Sequence, residues 1–398
     1  MKISYGKNVY GKEEIRAVVA QLNQTTQMGK SVQKFEKLIS DYFSKKYGLM
    51  VNSGSSANLL ALASFNFKKN SEIITPNLTF STTVAPIYQL GLVPHFIGVE
   101  KNKFLADPSQ IERCINKKTV AIMIPNLLGN IANWKRIKSI ANKYKLKVIE
   151  DSADTIGYTI NLKNAGKYSD VTTNSFYASH IINGAGTGGI VCFNDFKLYQ
   201  KAKLLRGWGR SSAIFNESEG LKLRFNKKVD GIPYDGKYIF SELGYNFLPS
   251  EISAAFALEQ LKKLKKNINT RIKNFEKLLN FFKNYPELFD LPTQVKGIKT
   301  GWLAYPIIIK NNSKIKRQKM QIYLEKRGIQ TRTIFTGNII RQPIMKNKKY
   351  KKVSLCSINS DNIMKNGILI GCHQGLKKRE IDYVFKCLKS FLKSSNLN

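Results

Sequence analysis

Acids and histidines are scarce in this sequence, and their scarcity narrows the chemistry it can carry. Across 398 residues there are 27 Asp and Glu against 65 Lys and Arg, with three histidines, His95, His180 and His373. No stretch approaches the roughly 18 to 20 uninterrupted apolar residues of a membrane span. The opening MKISYGKNVYGKEEIRAVVA lacks the apolar centre of a signal peptide, so a soluble, cytoplasmic chain with no membrane association is expected. Cys114, Cys192, Cys356, Cys372 and Cys387 form no C-x-x-C pair and have no histidine at a zinc-like spacing, which leaves reduced core thiols and no metal site as the expectation. Arginine is also sparse. The formal charge of +38 comes mostly from lysines spread from Lys2 to Lys393. Arginine is the better bidentate reader of phosphates and bases, so this charge implies a solvated lysine surface and no nucleic-acid partner.

What is present is a regular alternation. Short apolar runs at Leu49–Val51, Ile73–Thr75, His95–Val99, Val120–Pro125, Val148–Glu150, Val171–Phe176 and Gly189–Phe193 are separated by helix-length segments. That pattern predicts an α/β fold, a mainly parallel seven-stranded sheet between two helical layers, with polar residues gathered just after the strands where such sheets bind ligands. From Ala254 the texture changes to long helical stretches around the strand-like WLAYPIIIK. The expected division is a large domain over 1–253, with a short N-terminal arm and an irregular loop at 211–237, and a small α+β domain over 254–398. There is no internal repeat.

Four segments concentrate the polar chemistry. Asn52-Ser53-Gly54-Ser55-Ser56 is a small-residue turn between a strand and an apolar helix, suited to an anion at the helix N-terminus. The strand Val148-Ile149 runs into Glu150-Asp151-Ser152-Ala153-Asp154, and a carboxylate buried at a strand end needs a cationic partner such as a protonated pyridine nitrogen. Asn174-Ser175-Phe176-Tyr177-Ala178-Ser179-His180 leads to the glycine cluster Gly184-Ala185-Gly186-Thr187-Gly188-Gly189, and Leu243-Gly244-Tyr245-Asn246 lies further on.

The third segment resembles the cofactor-lysine signature S-F-x-x-x-K of the DegT/DnrJ/EryC/StrS sugar aminotransferase family, with His180 in the lysine's place. The fourth is similar to that family's L-G-Y-N segment, and Thr75-Pro76-Asn77-Leu78-Thr79-Phe80 to its ring-stacking strand end. The resemblance runs over nearly the whole chain and implies a fold type I, aspartate aminotransferase-like architecture binding pyridoxal 5'-phosphate (PLP) or pyridoxamine 5'-phosphate (PMP). It implies that Asp151 pairs with the pyridine nitrogen and Phe80 stacks on the ring. Gly54, Ser55, Ser56 and Ser175 would hold the phosphate, with Asn246 reaching it from the partner of a homodimer with shared sites.

Within that family, histidine replaces the lysine in the sugar 3-dehydratases, and Gly207-Trp208-Gly209-Arg210 and Phe335-Thr336-Gly337-Asn338 are further points of likeness. Histidine can move protons but cannot tether the cofactor. The expected activity is therefore C3 dehydration of a nucleotide-linked 4-keto-6-deoxyhexose, with His180 as base, Asp151 supporting the ring and L-glutamate as amino donor. Arg210, Arg332 and Arg341 are candidates for the nucleotide phosphates or the glutamate carboxylate. His95 and His373 are expected to be structural. The 211–237 stretch stands where one subgroup member carries clustered cysteines; this chain has none there, so no iron–sulfur cluster is expected. The interval from His180 to Gly188-Gly189 is about one residue longer than in the dehydratases the chain resembles. Two other readings stay open: an aminotransferase with a displaced lysine, and a non-catalytic nucleotide-sugar-binding dimer partner.

Overall fold

Residues 1–160, 163–164, 166–215 and 219–394 are described by the structure, a computed structural model. All seven expected strand segments form one sheet. Its spatial order is Tyr47–Val51, Gly189–Phe193, Val171–Ser175, Lys147–Asp151, Thr119–Pro125, Glu72–Pro76, Val93–Ile97 and finally Lys351–Lys352. The strands from Val171–Ser175 to Lys351–Lys352 run parallel; Gly189–Phe193 is antiparallel to both its neighbours. The sheet thus has eight strands where the sequence predicts seven. The added edge strand is two lysines docked beside His95 and Phe96, too short and too polar to carry an alternation signal.

Strand residues sort to opposite faces with a period of two. Leu49, Val51, Ile73, Ile149 and Val191 join one buried cluster, and their neighbours Met50, Ile74, Val148, Ile190 and Cys192 join another. Burial on both faces is why these strands read as continuous apolar runs. Helix Gly54–Ser64 supplies Ala57, Leu60 and Ala61 to the first cluster, and helix Lys30–Tyr42 sends Val32, Phe35 and Ile39 into the second.

A second, antiparallel sheet orders Phe289–Asp290, Ala304–Ile309, Gly367–Gly371 and Thr331–Arg332. Helices Leu264–Phe282, Arg317–Lys326 and Lys378–Ser394 contribute to its core. The N-terminal arm adds to its edge: Ile3 N–H donates to Gly328 O at 2.7 Å and Ile3 O accepts from Gln330 N–H at 2.9 Å. The five cysteines are buried and unpaired. No helix among the described residues is long and apolar enough to cross a membrane.

The 211–237 stretch is more regular than its composition suggests. It holds a short helix, Leu221–Phe225, and a hairpin pairing Lys227–Val229 with Ile232–Tyr234. Asp230 and Gly231, with φ of 48° and 82°, form a two-residue turn of the left-handed kind that twisted hairpins favour. Residues 216–218 of the stretch lie outside the described residues.

Candidate active site

The ends of five main-sheet strands open onto one cavity of about 510 Å³. Its walls come from the Ser53–Ser55 turn, the Phe80–Thr83 helix start, Pro125–Leu127, Asp151–Asp154 and the Ser175–His180 turn with Gly186–Gly188. From the second sheet's side come Tyr5, Leu303 and Phe335.

At one wall the helix Gly54–Ser64 begins. Ser53 caps it by accepting Ser56 N–H at 3.1 Å, and Ser56 Oγ donates to Asn52 Oδ1 at 2.6 Å, so the Ser56 hydroxyl is spent on the turn. Gly54 and Ser55 face the cavity at the positive end of the helix dipole. Close packing explains the glycine: a Cβ at Gly54 would stand 2.6 Å from Ser175 Cβ. The glycine cluster closes over the same turn, with Gly188 N–H donating to Asn52 O at 3.0 Å.

Opposite lies Asp151, 4% exposed. Its Oδ2 accepts from Asn58 Nδ2 and Thr83 Oγ1, each at 2.8 Å, and its Oδ1 accepts from Ala153 N–H at 3.1 Å. Thr173 Oγ1 donates to Asn58 Oδ1 at 2.6 Å and fixes which way that amide points. Every donor is neutral, and no cation pairs with Asp151 among the described residues. Removal from water pushes its pKa up, against those hydrogen bonds. A buried carboxylate so arranged calls for a cation from the cavity, and the helix N-terminus across from it calls for an anion. PLP and PMP carry both, as a protonated ring nitrogen and a phosphate, so the residues present fit the group. Phe80, 51% exposed and edge-on to Phe335 at 6.0 Å, gives the cavity an aromatic face for a flat ring.

His180 completes the cavity. Its Nδ1 lies 3.0 Å from Ser175 O. A carbonyl only accepts, so Nδ1 carries the proton and Nε2 the lone pair; Nε2 has no hydrogen-bond partner among the described residues. Burial lowers the His180 pKa to about 4, the bond to Ser175 raising it and the Arg271 charge lowering it further. The imidazole is therefore neutral near pH 7 and able to accept a proton. Among the described residues, no lysine lines the cavity.

Of the residues expected at the site, Gly54, Ser55, Phe80, Asp151, Ser175 and His180 line this cavity. Ser56 stands one residue behind it. Asn246 is exposed and bridged to Gly207 away from the cavity, on a surface where Leu243 is 97% and Phe240 56% exposed. Arg210 stacks on Trp208 at 4.4 Å and approaches Tyr238 and Phe240. Arg332 is exposed and 5.7 Å from the ring of Tyr5, at the cavity's edge. Arg341 is held on the surface by Asp361, with two contacts of 2.6 Å. His373 is buried with both ring nitrogens hydrogen-bonded, and His95 lies one strand in from the sheet edge, Nδ1 3.3 Å from Glu72 Oε2. Asn58, Thr83, Tyr5 and Asp154 were not singled out by sequence; Asn58, four residues beyond Gly54 and so on the same helix face, was the one with a positional signal.

The model of the DegT/DnrJ/EryC1/StrS aminotransferase family matches residues 9–389. Among curated proteins, the chain is 34% identical to the lipopolysaccharide biosynthesis protein RfbH of Salmonella typhimurium, over 97% of this chain and 90% of that one. It is 33% identical to the GDP-4-keto-6-deoxy-D-mannose 3-dehydratase of Yersinia pseudotuberculosis, over 96% and 97%. Among solved structures, a GDP-4-keto-6-deoxymannose-3-dehydratase with a trapped PLP-glutamate geminal diamine superposes with a TM-score of 0.86 at 30% identity, covering 97% of this chain and all of that one.

Proposed function

The chain belongs to the DegT/DnrJ/EryC1/StrS aminotransferase family, and we propose that it removes the C3 hydroxyl of a nucleotide-linked 4-keto-6-deoxyhexose, giving a 4-keto-3,6-dideoxy sugar for cell-surface polysaccharide. The cofactor is PLP, working in its amino form PMP. One observation carries this reading: the position where the family signature places a lysine holds His180, with Nδ1 engaged and Nε2 free in the cavity. The lack of any lysine among the described residues of the cavity wall weighs against amine transfer through a displaced lysine. A free proton acceptor beside a cation-seeking carboxylate weighs against a merely binding role.

Gly54, Ser55 and Ser175 would hold the phosphate, Asp151 the ring nitrogen and Phe80 the ring face. Bound there, the cofactor supplies an electron-accepting pyridinium ring. Asp151 keeps the ring nitrogen protonated, because a buried carboxylate is best stabilised by a charged partner. His180 would serve as the proton acceptor, through Nε2, for the cofactor's benzylic carbon, with Ser175 O fixing the tautomer. The charge then gained sits in a buried site near Arg271, which favours rapid release of the proton. With no tether, noncovalent contacts alone retain the cofactor. Glutamate is the amino donor. A second copy of the chain brings Asn246 to the phosphate, a role that its exposed, apolar surroundings support.

Mass spectrometry of a reaction containing the chain, PMP, glutamate and GDP-4-keto-6-deoxymannose tests the reading. The expected product lacks the C3 oxygen. Failure to dehydrate the GDP, CDP and UDP sugars alike, with cofactor bound, would overturn it.

A further inference from the structure

Helix Leu264–Phe282 turns three polar side chains into the core. Asn267, Arg271 and Asn274 recur at spacings of four and three, which places them on one helix face, and all three are buried, Arg271 completely. Polar groups so deep in a fold are costly unless their hydrogen bonds are made, and a buried guanidinium is the costliest of them.

The bonds of two of them meet at one residue. Asn267 Nδ2 donates to Ile181 O and Arg271 Nη2 to Ser179 O, each at 3.0 Å, so side chains one helical turn apart grip the carbonyls of the residues before and after His180. The rest of the guanidinium is anchored elsewhere: Nε donates to Gln374 Oε1 at 2.7 Å, and Nη1 to Trp302 O and Leu303 O at 3.0 and 2.9 Å. The peptide between Ser179 and His180 is held at its other polar atom too, since His180 N–H donates to Tyr177 O at 3.0 Å. With both polar atoms of a planar peptide bound, the direction in which the His180 side chain leaves the backbone is set. The N-terminal arm closes a third side, where a Cβ on Gly6 would stand 2.5 Å from Ser179 Cβ.

Asn267 and Arg271 stand behind the cavity wall and act on His180 only through its backbone. A lysine bonded to a cofactor is aimed by that bond. Histidine has no such bond, so its backbone and the Ser175 O contact alone aim Nε2, and misplacing a reacting group by about 1 Å can cost about 10²-fold in rate. We infer that Asn267 and Arg271 are positioning residues for the proton transfer, a bracket that fixes where Nε2 of His180 stands in the cavity. The inference rests on the dehydratase reading.

Asn267→Leu removes one donor at similar volume, and Arg271→Lys keeps a cation that cannot reach all four acceptors. Asn274→Leu is the control, because that amide donates to His373 O at 3.0 Å from the next turn of the same helix, away from His180. Each variant is read by kcat, KM and PMP affinity, and by the ¹⁵N imidazole spectrum of the cofactor-free chain, with His180 assigned through His180→Asn. Asn267→Leu and Arg271→Lys are expected to lower kcat about tenfold or more with KM and PMP affinity within about twofold, and to replace the single Nδ1–H tautomer of His180 by a mixture. Asn274→Leu should leave kcat and that signal unchanged even where it lowers the melting temperature as much. Wild-type kcat and His180 signal in the two variants would overturn the inference. Losses spread equally over kcat, KM and PMP affinity, or matched by Asn274→Leu, would mark a general packing role and overturn it too. If Arg271→Lys fails to fold, Asn267→Leu decides, because Gln374 Nε2 still lies 3.4 Å from Ile181 O. A wild-type chain that yields no dehydrated product would overturn the functional reading instead, while the ¹⁵N signal still shows whether the bracket holds.

Discussion

His180 and His373 occupy similar surroundings and differ in what they leave over. Burial lowers both to a pKa of about 4, and Arg271 depresses each. At His373 both nitrogens are used: Gly375 N–H donates to Nδ1 at 3.2 Å and Nε2–H donates to Ser4 O at 3.1 Å. At His180 the Ser175 carbonyl engages one nitrogen and the other faces a cavity. A shifted pKa therefore does not mark a base; a lone pair without a partner, facing a space that a substrate can enter, does.

Breaking the comparison at its working end has the largest expected effect. His180→Asn keeps a side chain able to donate to Ser175 O but removes the base, and turnover should drop by about 10²- to 10⁴-fold with cofactor affinity retained. Near-normal turnover in that variant would mean the free nitrogen is not the proton acceptor.

His373→Asn should leave turnover within about threefold and lower stability by about 2 kcal/mol, the scale of hydrogen bonds lost in a buried site. The pH dependence sharpens the contrast. Folded His373 titrates near 4 and an unfolded histidine near 6.5, so the unfolded chain binds more protons between those values. Stability should fall as pH drops from about 6.5 to about 4, and thermal melts of the variant should show a shallower fall. An unchanged acid limb would contradict the assigned burial.

The smallest effect is expected at Arg341, whose guanidinium is already spent on Asp361 and is 60% exposed. Arg341→Ala should change kcat/KM by less than about twofold and leave the thermal melt where it is, since an exposed ion pair contributes little. A tenfold rise in KM for the nucleotide sugar would instead place it in the site.

Much of this site was legible because its elements are local. The seven strands announce themselves by apolar runs, and the acid, the glycine turn and the histidine each sit at a strand end. Partners supplied from far along the chain were not legible. Asn58 and Thr83 reach Asp151 from two different helices, and Asp154 meets Leu128 N–H only once the strands Thr119–Pro125 and Lys147–Asp151 lie side by side. The Lys227–Tyr234 hairpin was hidden for a different reason: its exposed, lysine-rich flanks carry no alternation, although Asp230-Gly231 is a strong turn signal. Arg341 carries the residue type of a phosphate ligand, but its pairing with Asp361, twenty positions later, has no signal in the sequence.

The contact between Gly54 and Ser175 has a consequence for inheritance. With Ser175 Cβ 2.6 Å from where a Gly54 Cβ would stand, any side chain at 54 displaces the strand end whose carbonyl orients His180. Anion seat and proton acceptor cannot drift independently. A lineage that altered one would have to repair the other in the same step or shortly after, so the two segments should vary together across descendants, or scarcely vary at all.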